Sequence, residues 1–240
     1  VSWEWVYGST IVTHVMAVIP LLFMKEPERE KTEEISGRWY NQWVHQFRLG
    51  VNVWRNNRVI HAPVVLFILA SSVMVIMVFY GQEYFVELGY SSIVVGAVFT
   101  IEGLLGVVMA KIAYKVEERF KFFNILYYGL GLFLVFFVLF IFATDWAILL
   151  SFLILAQLLS LFEPIFSSFV QSFLKSNIRS TFLSLIGLME SFVIMISFPL
   201  FGYAVERTGF TDGFVWLLVI FFVLAGGYLV AQRVKIEGRT

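Results

Sequence analysis

The chain contains no cysteine, which excludes disulfides, thiolate nucleophiles, iron–sulfur clusters and cysteine-ligated zinc in one step. Charge is scarce too. Asp, Glu, Lys and Arg make up 14% of the 240 residues, and the two signs balance to a formal net charge of +0. With no basic excess, no nucleic-acid partner is expected. No Asn-x-Ser/Thr sequon occurs, in keeping with a non-glycosylated, prokaryotic-type protein. Also missing are a phosphate-binding glycine loop, a nucleophile elbow and a His-rich metal set, so neither cofactor nor metal is expected. The amino end begins at Val1 and lacks the basic flank and small-residue cleavage site of a signal peptide. It reads as a fragment or trimmed piece of a longer chain.

What is present is apolar. Hydrophobic residues are 60% of the chain and aromatics 18%, more than one soluble core of this length can hide. Seven stretches are long enough to cross roughly 30 Å of hydrocarbon. Their limits are 5–24, 62–81, 91–113, 122–143, 146–172, 180–204 and 213–233. The first is diluted by Thr10, Thr13, His14 and Pro20; the fourth and seventh are the most uniformly apolar. The expected fold class is therefore an all-α membrane protein with seven transmembrane helices.

The few charges are sorted by side. The loop 25–60 holds Lys25, Arg29, Lys31, Arg38, Arg48, Arg55 and Arg58; later loops and the tail add Lys111, Lys115, Arg119, Lys121, Lys175, Arg179, Arg233, Lys235 and Arg239. That leaves only Arg207 of the 17 Lys and Arg for the opposite side, where Glu83, Glu87, Asp145, Glu206 and Asp212 also fall. The positive-inside rule makes the basic side cytoplasmic, with the amino end outside and the carboxyl end inside. Within the long loop, Lys25–Glu34 is highly charged, whereas Trp39, Trp43, Phe47, Val51 and Trp54 recur at helical spacing. That second part is expected to be an amphipathic helix at the membrane surface, the alternative being a solvated linker.

An ionised carboxylate at the bilayer centre costs about 2.5–3.5 kcal/mol on insertion scales. Three glutamates nevertheless lie well inside spans: Glu102, Glu163 and Glu190, with no Lys or Arg deep in any span to neutralise them. Each must face a wet cavity, be protonated or bind a cation, unless it is simply a buried acid hydrogen-bonded to a neighbouring helix. Around Glu163, the residues Gln157, Ser160, Pro164, Ser167 and Gln171 recur at intervals of three and four; around Glu190, Ser180, Ser184, Gly187 and Ser191 do the same. A weak internal repeat relates Ile101-Glu102-Gly103 and Ala113–Glu117 to Met189-Glu190-Ser191 and Gly202–Glu206, in spans of opposite direction. An inverted repeat produces that pattern.

Several segments resemble the major facilitator superfamily of transporters. Arg179-Ser180-Thr181-Phe182-Leu183-Ser184-Leu185 is similar to the "RATxLSL"-like stretch after the loop between helices ten and eleven. Pro199-Leu200-Phe201-Gly202 with Glu206-Arg207-Thr208-Gly209 is similar to the "PLxGxxxDRxG" ending of helix eleven, Glu replacing Asp. Phe47-Arg48-Leu49 through Asn56-Asn57-Arg58-Val59 resembles the start of helix seven, and Gly106 through Lys121 is a degenerate "GxLaDrxGrk" loop. The resemblance implies the carboxyl-terminal half of a multidrug or proton-antiporter-like carrier. Residues 1–24 would then be the last helix of the amino-terminal half, 25–61 a cytoplasmic linker, and 62–240 a six-helix bundle built as a 3+3 inverted repeat. It further implies a small-molecule substrate, protons or another coupling ion, a missing six-helix half, surrounding lipid and a prokaryotic inner membrane. Glu102 and Glu190 would carry protons or attract a cationic substrate, while Glu163, Gln157, Ser160, Ser167, Ser184 and Ser191 line the path. Two other classes stay open. A seven-helix receptor or photoreceptor fits the helix count but lacks an interior Lys for retinal. An intramembrane enzyme would need partners that isolated glutamates do not have.

Overall fold

The computed structural model describes residues 39–237, with side chains from Val44 to Leu229 save Gln46 and Asn177, and only isolated positions before residue 39. The expected first span over 5–24 lies outside this run. All regular elements among the described residues are helical. Helix α1 (Trp39–Asn56) leads through a 3-10 turn (Arg58–Ile60) into α2 (His61–Glu87), α3 (Ser92–Arg119), α4 (Phe122–Phe142) and α5 (Trp146–Ser172). A second 3-10 turn (Ser176–Ile178) precedes α6 (Arg179–Thr208) and α7 (Phe210–Glu237). Helices α2 to α7 are each long and apolar enough to cross a bilayer.

The connections are short, so consecutive spans run antiparallel. Ser91 caps α3, its hydroxyl accepting the Val94 N–H at 3.4 Å. Between α6 and α7 stands the single residue Gly209, at φ 85° and ψ 169°. That region is open essentially to glycine alone, and it lets the chain reverse in one step.

Helix α2 occupies the centre, with Val64, Ile76, Met77 and Phe85 fully buried, and it touches α3, α5, α6 and α7. The larger core is built from rings: Phe85 meets Phe152 edge-on at 5.4 Å, and Phe140 meets Phe214 edge-on at 5.0 Å. Lipid supplies no hydrophobic drive between helices, so close ring packing of this kind takes over that role. A smaller core of Ile60, Val64, Phe166, Val170 and Phe182 lies toward the basic end.

Helix α1 joins that smaller core through Val53 and Trp54. A Cβ on Gly50 would sit 3.4 Å from Leu185 Cδ2 of α6, an ordinary contact distance, so the two helices touch here. Trp54 stacks on His61 at 4.4 Å, and His61 Nε2 donates to the Trp54 carbonyl, fixing the elbow into α2. Arg48, Arg55 and Arg58 stay exposed. Residues 39–56 are helical; of the expected stripe Trp54 packs on the bundle together with its neighbour Val53, whereas Phe47 is exposed.

The packing has internal symmetry. Helix α2 packs on α6 and α7, α5 packs on α3 and α4, and α2–α5 and α4–α7 also touch. Exchanging α2–α3–α4 with α5–α6–α7 reproduces each of these pairings. Because α2 and α5 run in opposite directions, this is a 3+3 inverted repeat. One departure is the close α6–α7 approach, where a Cβ on Gly213 would lie 2.8 Å from Val205 Cγ2. The outward faces of α3 and α6 are apolar, with Leu104 66% and Leu200 62% exposed, and suit hydrocarbon or further helices rather than water.

Candidate functional site

The crossing of α3 and α5 brings three of the expected polar residues together. Gln157, 93% buried by its 7% exposure, donates Nε2–H to the main-chain carbonyl of Glu102 at 3.1 Å. Within a helix that carbonyl already serves the ladder N–H four residues on, which belongs to Gly106. Gly106 also lies against α5, since a Cβ there would lie 3.3 Å from Ser160 Oγ. Amide, glycine and serine thus share one contact. The Gln157 orientation follows from its bond: with Nε2 toward the carbonyl, Oε1 faces inward, and no partner satisfies it. A buried acceptor left unmade costs about 1–3 kcal/mol, and such an atom is ready for any donor that arrives. The Glu102 side chain itself is half-buried.

Farther along α5, Ser167 accepts from Gln171 Nε2 at 2.9 Å, and Ser168 donates to the Glu117 carboxylate of α3 at 2.6 Å. Ser167, Ser168 and Gln171, with Pro164, Ser172 and Arg179, border an open recess of about 520 Å³ at the basic end. Glu163 is exposed, and no hydrogen bond or ion pair joins it to another described residue. It therefore leaves the carbonyl freed by Pro164 untouched.

The stripe on α6 stands apart, because α6 packs on α2 rather than on α3. Glu190 is half-buried and Ser184 and Ser191 are exposed; Ser191 returns its hydroxyl to the Gly187 carbonyl at 2.8 Å. No described residue forms an ion pair with Glu190.

At the acidic end an open recess of about 690 Å³ is bordered by Gln82, Glu83, Glu87, Ser92, Phe99 and Phe210 among others, none of them basic. A carboxylate-lined mouth raises the local concentration of cations. Beside it, Tyr90 donates its hydroxyl to the Asp145 carbonyl, tying the α2–α3 turn to the α4–α5 turn. Burial, then the Asp145 charge and the neighbouring Tyr84, push the Tyr90 phenol above its usual value.

Two polar groups escaped the sequence reading. Ser72 on α2 buries a hydroxyl that has no partner, and Tyr80 on α2 reaches the Phe198 carbonyl of α6 at 3.4 Å. The signal for Ser72 was a serine pair inside an apolar run; for Tyr80 nothing local distinguished it from packing.

A family model described as Major Facilitator Superfamily matches residues 1–198. No curated protein matches the chain, and no solved structure does. The receptor alternative raised by the helix count is not favoured by that family match. Six long apolar helices in an inverted-repeat bundle, matched over most of the sequence, lead to one assignment: the chain belongs to the Major Facilitator Superfamily and is an integral membrane protein of transmembrane transport.

Proposed function

We propose that the protein is a secondary active carrier of a small solute, coupled to protons and working by alternating access between this bundle and a second six-helix half. The observation that carries the reading is the α3–α5 crossing. There Glu102, half-buried and without a basic partner among the described residues, is held through its main-chain carbonyl by Gln157, whose buried amide oxygen has no donor. Glu102 and Glu190 carry protons or attract a cationic solute. Gln157 and Ser160 present the polar edge of the path at the crossing; Glu163, Ser167, Ser184 and Ser191 extend it along α5 and α6. The second half faces the outer surfaces of α3 and α6, which the described bundle leaves uncovered. The basic end of the bundle is cytoplasmic, in a prokaryotic inner membrane.

The test uses the full-length protein in liposomes loaded with a pH-sensitive dye, under an imposed pH gradient. A panel of amines, amino acids, sugars and lipophilic cations is added in turn. One class should trigger proton flux, and E102Q and E190Q should each lower it at least tenfold, with solute binding kept if they carry protons and weakened if they attract a cationic solute. Wild-type flux in both variants would remove these glutamates from coupling, and no flux with any compound would count against a proton-coupled carrier.

A further inference from the structure

We propose that Tyr80 is a positioning residue that pins a short movable arm, residues 200–208 of α6, by seating its hydroxyl in the notch left by Gly202. This rests on the alternating-access reading and names one of its moving parts.

The arm lies between two weak points in the chain. Pro199 sits inside α6, so the Met195 carbonyl loses its ladder donor and the helix can bend there. At the other end Gly209, at φ 85°, is the whole connection to α7. At the first of them, the Tyr80 ring packs against Phe198 at 5.0 Å, before the proline, and against Phe201 at 4.9 Å, within the arm. Its hydroxyl donates to the Phe198 carbonyl at 3.4 Å, so it is fastened to the residue before the hinge while seated against Gly202 beyond it. A Cβ on residue 202 would stand 2.6 Å from Tyr80 Oη but 3.6 Å from Cζ. The notch therefore admits the ring edge with or without a side chain at 202, and it is the hydroxyl alone that demands glycine.

These features divide the work between energy and geometry. The bond is long and correspondingly weak, so it contributes little to holding the bundle together. The cage around it is narrow, so it sets one position of the arm relative to α2. A weak bond with a single allowed seat favours one of two settings without locking it. Gly213 lets Val205 and Phe201 pack closely on α7, so the first turns of α7 travel with the arm. The acidic-end recess borders Phe210, the first residue of α7, and would change its width as the arm moves.

The experiment reads arm position directly. These 240 residues hold no cysteine; with any cysteine elsewhere in the protein replaced by serine, Leu88→Cys and Glu206→Cys, both exposed, take spin labels at the ends of α2 and α6. Distances are measured by pulsed electron resonance on the full-length protein in lipid nanodiscs, without solute. Tyr80→Phe should raise the longer-distance population roughly two- to fivefold, the effect of losing one weak hydrogen bond. Gly202→Ala should raise it further, because the new methyl expels the hydroxyl. The Tyr80→Phe/Gly202→Ala double variant should fall back to the level of Tyr80→Phe, since the clashing atom is gone. Unchanged distances in Tyr80→Phe and Gly202→Ala, whatever happens to thermal stability, overturn the proposal, as does a double variant more displaced than Gly202→Ala. If Gly202→Ala fails to fold, Tyr80→Phe alone decides. Because no solute is present, a failed pin leaves the transport reading standing, and shifted distances without solute flux strike only the latter.

Discussion

Gln157 on α5 and Glu102 on α3 are joined through the main chain and not through the carboxyl: the amide N–H meets the Glu102 carbonyl at 3.1 Å. The carboxyl is thereby left free of this contact, and the amide oxygen is left without a donor. Gln157→Leu removes one hydrogen bond and one unmet acceptor together, so stability should change by no more than about 1 kcal/mol. Gln157→Ala opens a void and should cost about 2 kcal/mol or more. Unfolding in detergent, followed by circular dichroism, separates the two. Loss of coupled flux in the stable Leu variant would assign the amide oxygen a part in transport.

Gly106 tests how tightly α3 and α5 approach. Gly106→Ala places its methyl 3.3 Å from Ser160 Oγ. A shift of a few tenths of an ångström, offset by a gain of up to about 1 kcal/mol in helix propensity, should leave it near neutral. Gly106→Leu cannot be absorbed that way and should cost about 1–3 kcal/mol. Equal stabilities for the two variants would mean that the helices do not meet closely there.

Gly209 carries a different constraint. At φ 85° and ψ 169°, any side chain is strained by about 1–3 kcal/mol. Gly209→Ala should lower thermal stability by that amount even though nothing lies within 4 Å of the added methyl. A variant as stable as the parent would show that the α6–α7 reversal tolerates an ordinary residue.

The Tyr90 latch predicts a pH dependence with a definite sign. Burial first, then the Asp145 charge, raise its folded pKa, so the neutral phenol is favoured in the folded state. Its stabilising contribution is complete below the ordinary tyrosine pKa of about 10 and is lost as pH rises through the higher folded value. Ultraviolet titration should show a tyrosine ionising above the ordinary range that disappears in Tyr90→Phe. An unchanged titration curve in that variant would refute the assignment.

Hydropathy located the apolar slab well but the helices less so. The expected 122–143 and 146–172 nearly coincide with α4 (Phe122–Phe142) and α5 (Trp146–Ser172). The stretch expected to end at 81 continues as helix to Glu87, and the one expected to end at 113 continues to Arg119. In both, polar turns extend beyond the slab, where an apolar run stops and a helical ladder need not. The neighbours of each site residue were hidden for another reason. A polar stripe shows which face of a helix is special and says nothing of what lies opposite, so the sequence alone could not place Gln157 on Glu102 while keeping Glu190 on α6 away from α3. Nor could it tell that Ser191 and Ser197 would spend their hydroxyls on the Gly187 and Val193 carbonyls of their own helix.

The central place of α2 has a consequence for how the protein is made. Among the six spans it is the first in chain order, yet its contact through Tyr80 lies 118 residues ahead at Phe198. At about 5–20 residues per second of synthesis, that partner follows roughly 6–24 s later. Biogenesis of this bundle therefore begins with its most dependent helix, and assembly waits on the last two.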